Sequence, residues 1–198
     1  FDKIFYAGSL TKILRPDEGS FKARPYIFSN EINDKKFNKI LSKFSKNKKI
    51  GLSWKSVVNI YGRLKSLNIE DFIPIFKTNR SFINLQYGNV AKEISEFNKK
   101  GFEIYNLKNI DLFNDFESTI SILKNLDLFV TVSNSTAHIA GALGVPTIVI
   151  CPKKSSTYYY WDYDEGLTPW YKNVKILKGE GSIKNTIIKL NELIENTI

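Results

Sequence analysis

The chain has 198 residues, 42% of them hydrophobic and 25% charged, which is enough for one full domain and too apolar for wholesale disorder. Its longest apolar runs, 126–132 and 148–151, are too short to cross a bilayer, and one cysteine with one histidine excludes an intramolecular disulfide and a multi-histidine or all-cysteine metal centre. The net charge of +9 suits an anionic partner, but the lysines are spread along the chain outside 35–36 and 46–49, so a general compositional bias outweighs a nucleic-acid surface.

Residues 1–48 do not read as a domain. A short apolar stretch at 4–7 is followed by Gly8, Pro16, Gly19 and Pro25 as punctuation. Phe37, Ile40, Leu41 and Phe44 then fall at helical spacing over 34–44. The segment is expected to be the remnant of a preceding domain plus a linker, ending at the lysine-rich run 46–49. The chain opens on Phe1 and has no methionine, so it is expected to be a processed product or a piece of a longer protein. No signal peptide is visible at its start, and a cytoplasmic location is expected.

From residue 49 a regular alternation begins. Strands are predicted over 49–54, 81–86, 102–105, 127–132, 146–151 and 174–177. Helices are predicted over 69–76, 90–100 (closed by Gly101), 116–126, 136–143 (ending at Gly144) and 183–194, with a long aromatic loop over 152–171. Strands apolar on both faces and alternating with helices predict an α/β fold: a doubly wound, Rossmann-like parallel sheet over 49–198 with an N-terminal extension. Such sheets bind ligands beyond the carboxyl ends of the strands, where strand order reverses, so the chemistry belongs in the loops after strands.

The loop Ser133-Asn134-Ser135-Thr136 joins an apolar strand to a helix. It places four small polar residues where helix amides are unpaired, an arrangement suited to phosphate; one residue alone would suffice as an ordinary cap. His138 sits in the first turn, where the helix dipole favours the neutral imidazole. After the first strand, Lys55, Ser56, Tyr61, Arg63, Lys65 and Ser66 offer charges and hydroxyls for a diphosphate, with a solvated basic loop as the plain alternative. Neither a dinucleotide fingerprint nor a P-loop is present. Gln86 ends the second strand, where it can reach a ligand or tie down a turn. Asp115 reads as an N-cap, and Ser118 or Thr119 beside it can read a base edge. The aromatics at 158–161 and 170–171 suit stacking on a sugar or base, or packing over the sheet.

Taken in order, Ile50-Gly51-Leu52-Ser53-Trp54-Lys55-Ser56, Gly62-Arg63-Leu64-Lys65-Ser66, Asn84-Leu85-Gln86-Tyr87-Gly88, Asp115-Phe116, Leu126-Asp127-Leu128, the stretch 132–146 with Ala137-His138-Ile139-Ala140-Gly141-Ala142-Leu143-Gly144, and Thr168-Pro169-Trp170-Tyr171 resemble the carboxyl-terminal half of GT-B glycosyltransferases. The nearest group is heptosyltransferase-like, with its tetratricopeptide-repeat-associated variants, and the likeness runs over about residues 1–181. The resemblance implies a nucleotide-diphosphate-sugar site. In it Ser133, Asn134, Ser135 and Thr136, with the helix carrying His138, hold the diphosphate; Lys65 contacts phosphate; Gln86, Asp115 and Thr119 lie near the nucleoside. Heptosyltransferase-type members carry Asp-Thr/Ser-Gly where this chain has Ser133-Asn134-Ser135, a form resembling the repeat-associated subgroup. The Ser135-Thr136 pair also resembles the phosphate-binding pair of protein O-linked N-acetylglucosaminyltransferases.

By the same resemblance the reaction is metal-independent, inverting transfer from a nucleotide sugar, with no cofactor besides that donor substrate and no metal site. The catalytic base and the acceptor (protein, glycan or lipid-linked sugar) are left open. The implied partners are an N-terminal GT-B half and a tetratricopeptide-repeat region, with no nucleic acid. Three alternatives stay open: a nucleotide-sugar epimerase of the same fold, a non-catalytic nucleotide- or polyanion-binding module, and a sugar-binding relative without turnover.

Overall fold

A computed structural model describes residues 3–57, 62–163, 166–179 and 181–198. The elements run α1 (Ala7–Leu14), α2 (Glu31–Leu41), β1 (Lys48–Ser53), α3 (Gly62–Lys65), β2 (Arg80–Asn84), α4 (Ala91–Lys99), β3 (Ile104–Tyr105), α5 (Phe116–Lys124), β4 (Leu128–Val132), α6 (Ser135–Leu143), β5 (Thr147–Cys151), β6 (Val174–Lys178) and α7 (Ile183–Glu195). The six strands form one sheet in the order β3-β2-β1-β4-β5-β6, and every pairing is parallel. The α/β, Rossmann-like architecture expected from the alternation is the one observed.

Alternate residues of each inner strand face opposite layers, as the two-residue period of a strand requires. Ile50 and Leu52 of β1, Leu128, Val130 and Val132 of β4, and Ile148 and Ile150 of β5 point to one face. There Ile94 and Phe97 of α4 and Ile187, Leu190 and Ile194 of α7 cover them. On the other face Ile83, Leu85 and Phe129 pack under Ile122 and Leu123 of α5, Leu143 of α6, and Phe37 and Leu41 of α2. Gly51 belongs to this second face because nothing larger fits: a Cβ there would lie 2.5 Å from Leu126 Cδ1 and 2.8 Å from Leu85 Cδ1.

Two local differences from the expected elements have physical causes. The helix expected over 69–76 forms as a 3-10 helix at Ile69–Ile75, because Pro74 inside it has no amide to donate. The strand expected over 102–105 narrows to Ile104–Tyr105 at the sheet edge, where it pairs on one side only. α1 is a helix without a buried residue, and its sequence neighbours Ile4 and Tyr6 are also exposed. By contrast α2, within the segment read as remnant and linker, buries Phe37 and Leu41 completely enough to join the sheet's cover. Among the described residues no helix is long and apolar enough to cross a membrane.

Truncating Phe37 therefore opens a cavity under α2 next to Phe129 and Leu123. Phe37→Ala is expected to destabilise the chain by about 3–5 kcal/mol, read as a fall in the urea unfolding midpoint. A change near zero would mean that α2 does not belong to this core.

Candidate functional site

Strand order reverses between β1 and β4, so the loop leaving β1 and the turn from β4 into α6 border one crevice. A buried chain of polar side chains crosses this point. Asn134 Oδ1 accepts the Ala137 amide at 3.1 Å and so caps α6. Its Nδ2 donates to Ser53 Oγ at 3.0 Å and to Thr131 Oγ1 at 3.1 Å. Ser53 Oγ donates in turn to Gln86 Oε1 at 3.0 Å. The same Gln86 oxygen accepts the Trp54 amide at 2.8 Å and the Lys55 amide at 2.7 Å, while Nε2 donates to the Tyr87 carbonyl at 2.9 Å. Gln86 is 1% exposed, so its amide is engaged within the fold and sets the path of the loop after β1.

Ser133 is engaged too: its Oγ accepts the Trp161 indole N–H at 3.2 Å. What remains at the start of α6 is Ser135 and Thr136. Among the described residues, neither their amides nor their hydroxyls have a hydrogen-bond partner. Ser135 is exposed and Thr136 is 5% exposed. Two unpaired amides and two hydroxyls at the positive end of a nine-residue helix form a donor array for an anion.

The two lysines expected at the site have different fates. Lys55 Nζ lies 2.5 Å from Glu93 Oε2, and the other oxygen of that carboxylate accepts the Trp54 indole N–H at 2.9 Å. Lys65 is 6% exposed, ends α3, and places its ammonium 4.6 Å from the centre of the Tyr158 ring. Among the described residues no carboxylate is within ion-pair distance of it. Among the described residues the Lys65 charge thus meets an aromatic face and no carboxylate, and a phosphate can draw it from that face. Gly62 makes this turn possible, since a Cβ there would stand 2.5 Å from the Ser56 carbonyl oxygen. Tyr61 lies outside the described residues.

His138 stacks on Trp161 with centroids 4.8 Å apart, meets Tyr160 edge-on at 4.9 Å, and has Nδ1 3.2 Å from the Tyr171 hydroxyl. Burial in this aromatic cage lowers its pKa below the ordinary 6.5. The imidazole is therefore neutral, as expected, with desolvation as the cause. Burial raises the Tyr171 phenol well above its usual range, so it stays protonated.

Asp115 caps α5 by accepting the Ser118 amide at 2.9 Å, and hydrogen bonds from Ser118 hold its carboxyl below the usual range. Thr119 is buried and donates to the Asp115 carbonyl at 2.9 Å. Beyond the ends of β2 and β3 lies a cavity of about 830 Å³, with Asn84, Gln86, Tyr87, Asn106, Asp111 and Phe113 in its lining. Tyr87 and Phe113 are in tilted contact, with ring centres 5.9 Å apart and planes at 57°, and Asn84 Nδ2 donates to Asn106 Oδ1 at 2.9 Å. The structure thus gathers Ser133, Asn134, Ser135, Thr136 and His138 at one helix start, with Gln86 joining that start to this cavity. Asn106, Phe113 and the hub Ser53 were not singled out from sequence. The run Asn84-Leu85-Gln86-Tyr87 was the available signal for the cavity, but the facing loop, 106–113, has no motif of its own. Among the described residues no group of three or more His, Cys, Asp or Glu side chains is placed to hold a metal ion.

No protein-family model matches the chain. It is 28% identical over 179 residues to Protein FlbA of Caulobacter vibrioides, a match covering 88% of this chain and 29% of that protein. Among solved structures, Escherichia coli ADP-heptose LPS heptosyltransferase II superposes with a TM-score of 0.54 at 14% identity, over 87% of this chain and 54% of that one. A family 9 glycosyl transferase from Veillonella parvula superposes with a TM-score of 0.59 at 11% identity, over 90% and 48% respectively. The N-terminal domain of Candida albicans trehalose-6-phosphate phosphatase also superposes, with a TM-score of 0.50 at 16% identity. The chain spans about half the length of the two glycosyltransferase structures and under a third of FlbA. At these identities the likeness is one of fold, and that fold is shared with glycosyltransferases.

Two outcomes are expected from this geometry. Asn134→Ala removes a helix cap and leaves the buried Ser53 and Thr131 hydroxyls without their donor, so it should cost about 2 kcal/mol or more in a urea titration. The folded state holds His138 neutral while the unfolded state binds a proton near pH 6.5. Stability is therefore lost as pH falls through 6.5 and below. The urea midpoint should drop between pH 7.5 and 5.5, above the carboxylate range, and His138→Phe should flatten that drop.

Proposed function

We propose that this chain is the donor-binding part of a GT-B glycosyltransferase. It takes a nucleotide-diphosphate sugar, with the diphosphate at the start of α6 and the nucleoside in the cavity beyond β2 and β3. The observation that carries this reading is the pair of amides and hydroxyls of Ser135 and Thr136, which have no partner among the described residues and are set at the strand-order reversal beside the engaged Ser133, Asn134 and Gln86.

Cleavage of the donor's glycosidic bond moves an electron pair onto the diphosphate oxygen. Fixed helix-end donors and a lysine stabilise that charge without reorganising at the moment of reaction. Lys65 supplies the positive charge by leaving the Tyr158 face for the phosphate, while Lys55, paired to Glu93, contributes its backbone to the loop. Gln86, Asp115 and Thr119 act by shaping the loops around the nucleoside rather than by touching it with free polar groups. The acceptor oxygen attacks the anomeric carbon on the side opposite the leaving diphosphate, which inverts its configuration. The acceptor and the base that takes its proton are assigned to a further half of a longer protein, by analogy with the fold's larger members. A tetratricopeptide-repeat region belongs to the same proposal and rests on the sequence resemblance alone.

A donor-binding module without turnover is the second reading. Its support is Ser133, which stands where the heptosyltransferase-like pattern has a carboxylate and whose oxygen accepts the Trp161 indole proton.

Calorimetry with UDP, GDP, ADP and CMP and their sugar conjugates tests the donor site. One nucleotide should bind selectively, and Lys65→Ala and Thr136→Ala should each weaken it about tenfold or more. Ser135→Pro is a sharper probe. Proline is tolerated at the first helical position, and Asn134 before it is extended at φ −150°, ψ 177°, so the helix is kept while one amide and one hydroxyl are lost. Binding indifferent to all three changes would overturn the assignment. Hydrolysis of the bound donor by the longer protein that carries the base separates the two readings.

A further inference from the structure

A second cavity, of about 450 Å³, lies away from the strand-order reversal. It opens between the segment before α2 and the corner that leads into β6. The Tyr26 and Ile27 amides both reach the Ala142 carbonyl, at the opposite end of α6 from Ser135, and Pro25 packs against Gly144. The Lys172 amide donates to the Ala23 carbonyl at 3.4 Å, which joins the two walls.

Three cations line it: Arg15, Lys22 and Arg24. Among the described residues none of them has an acidic partner within ion-pair distance. Asp17, the nearest carboxylate to Arg15 in sequence, has Oδ1 occupied by the amide and hydroxyl of Ser20. The remaining walls are aromatic, from Phe21, Tyr26, Trp170 and Tyr171. Phe21 and Trp170 meet edge to face at 4.7 Å, and the Arg15 guanidinium lies 5.6 Å from the Phe21 ring centre. The indole N–H of Trp170 is buried and, among the described residues, has no acceptor. That nitrogen is enclosed within the wall, so it senses a ligand in the cavity without having to donate to it.

We propose that this cavity is a binding site for an anionic monosaccharide, one that carries a phosphate or a carboxylate. The guanidinium and ammonium groups take the charged group, and the aromatic walls take the apolar face of the sugar ring. The site does not depend on the donor reading. It adjoins the candidate donor site through one residue: Tyr171 lines the cavity and its hydroxyl touches His138 Nδ1 at 3.2 Å on the first turns of α6.

The test follows the Trp170 indole resonance in proton–nitrogen spectra of the whole chain, assigned by its loss in Trp170→Phe. The probes are glucose 6-phosphate, glucuronate, glucose and inorganic phosphate. One or both anionic sugars should shift that resonance saturably, at least tenfold more tightly than glucose or inorganic phosphate. The two anionic probes distinguish a phosphate from a carboxylate ligand. Arg15→Ala and Arg24→Ala, both on exposed side chains, should each weaken binding about tenfold. Lys39→Ala on α2 should leave it unchanged, which separates a site from general attraction to a basic chain. The proposal is overturned if no anionic sugar moves Trp170, if inorganic phosphate binds as well as glucose 6-phosphate, or if the shifts centre on the Ser135 and Thr136 amides instead.

Discussion

The site rests on one run of side-chain hydrogen bonds, Gln86 to Ser53 to Asn134, laid across the place where strand order reverses. A parallel sheet that winds both ways must leave a crevice there, because the two crossovers depart in opposite directions. Without a tie, the ends of β1 and β4 would face it as separate loops. With Gln86 holding the Trp54 and Lys55 amides and Asn134 holding the Ala137 amide, the loop after β1 and the start of α6 become one rigid unit. Rigidity matters because an anion site works by donors that need no reorganisation when charge arrives.

The same ties decide which groups are available for chemistry. Ser133, Asn134 and Gln86 are polar and close to the crevice, yet their hydrogen-bonding capacity serves the fold. Ser135 and Thr136 remain. Lys55 and Lys65 divide in the same way: one is neutralised by Glu93, the other rests on the Tyr158 ring. A loop rich in polar residues thus reduces to a small donor set of defined position. The aromatic cage of Trp161, Tyr160 and Tyr171 around His138 completes it by excluding water from one side of α6.

Much of the fold was legible in the sequence for a simple reason. β4 and β5 are buried on both faces, so they appear as nearly continuous apolar runs with Thr131 and Thr147 as the exceptions, and Gly101 and Gly144 mark helix ends where φ is positive, at 92° and 80°. The small residues of α6 mark its close packing, and Gly141 would clash with the Tyr171 ring if it carried a Cβ. The engagement of Gln86 and Lys55 was not legible, because their partners lie more than thirty residues away in sequence, at Ser53 and Glu93. The packing of Phe37 against α5 was hidden likewise, since a helical stripe shows that a face is buried and not what buries it. The cavity beyond β2 and β3 depends on the loop 106–113, whose residues have no spacing that periodicity can detect.

The central claim is that the free donors at the start of α6 hold a nucleoside diphosphate. The most direct measurement is a crystal structure of the chain with the nucleotide it binds. The account predicts a phosphate oxygen within hydrogen-bond distance of the Ser135 and Thr136 amides, the base in the cavity against Tyr87 or Phe113, and the Lys65 ammonium moved from the Tyr158 ring onto phosphate. A nucleotide seated elsewhere, with those amides facing solvent and Lys65 still on Tyr158, would contradict it.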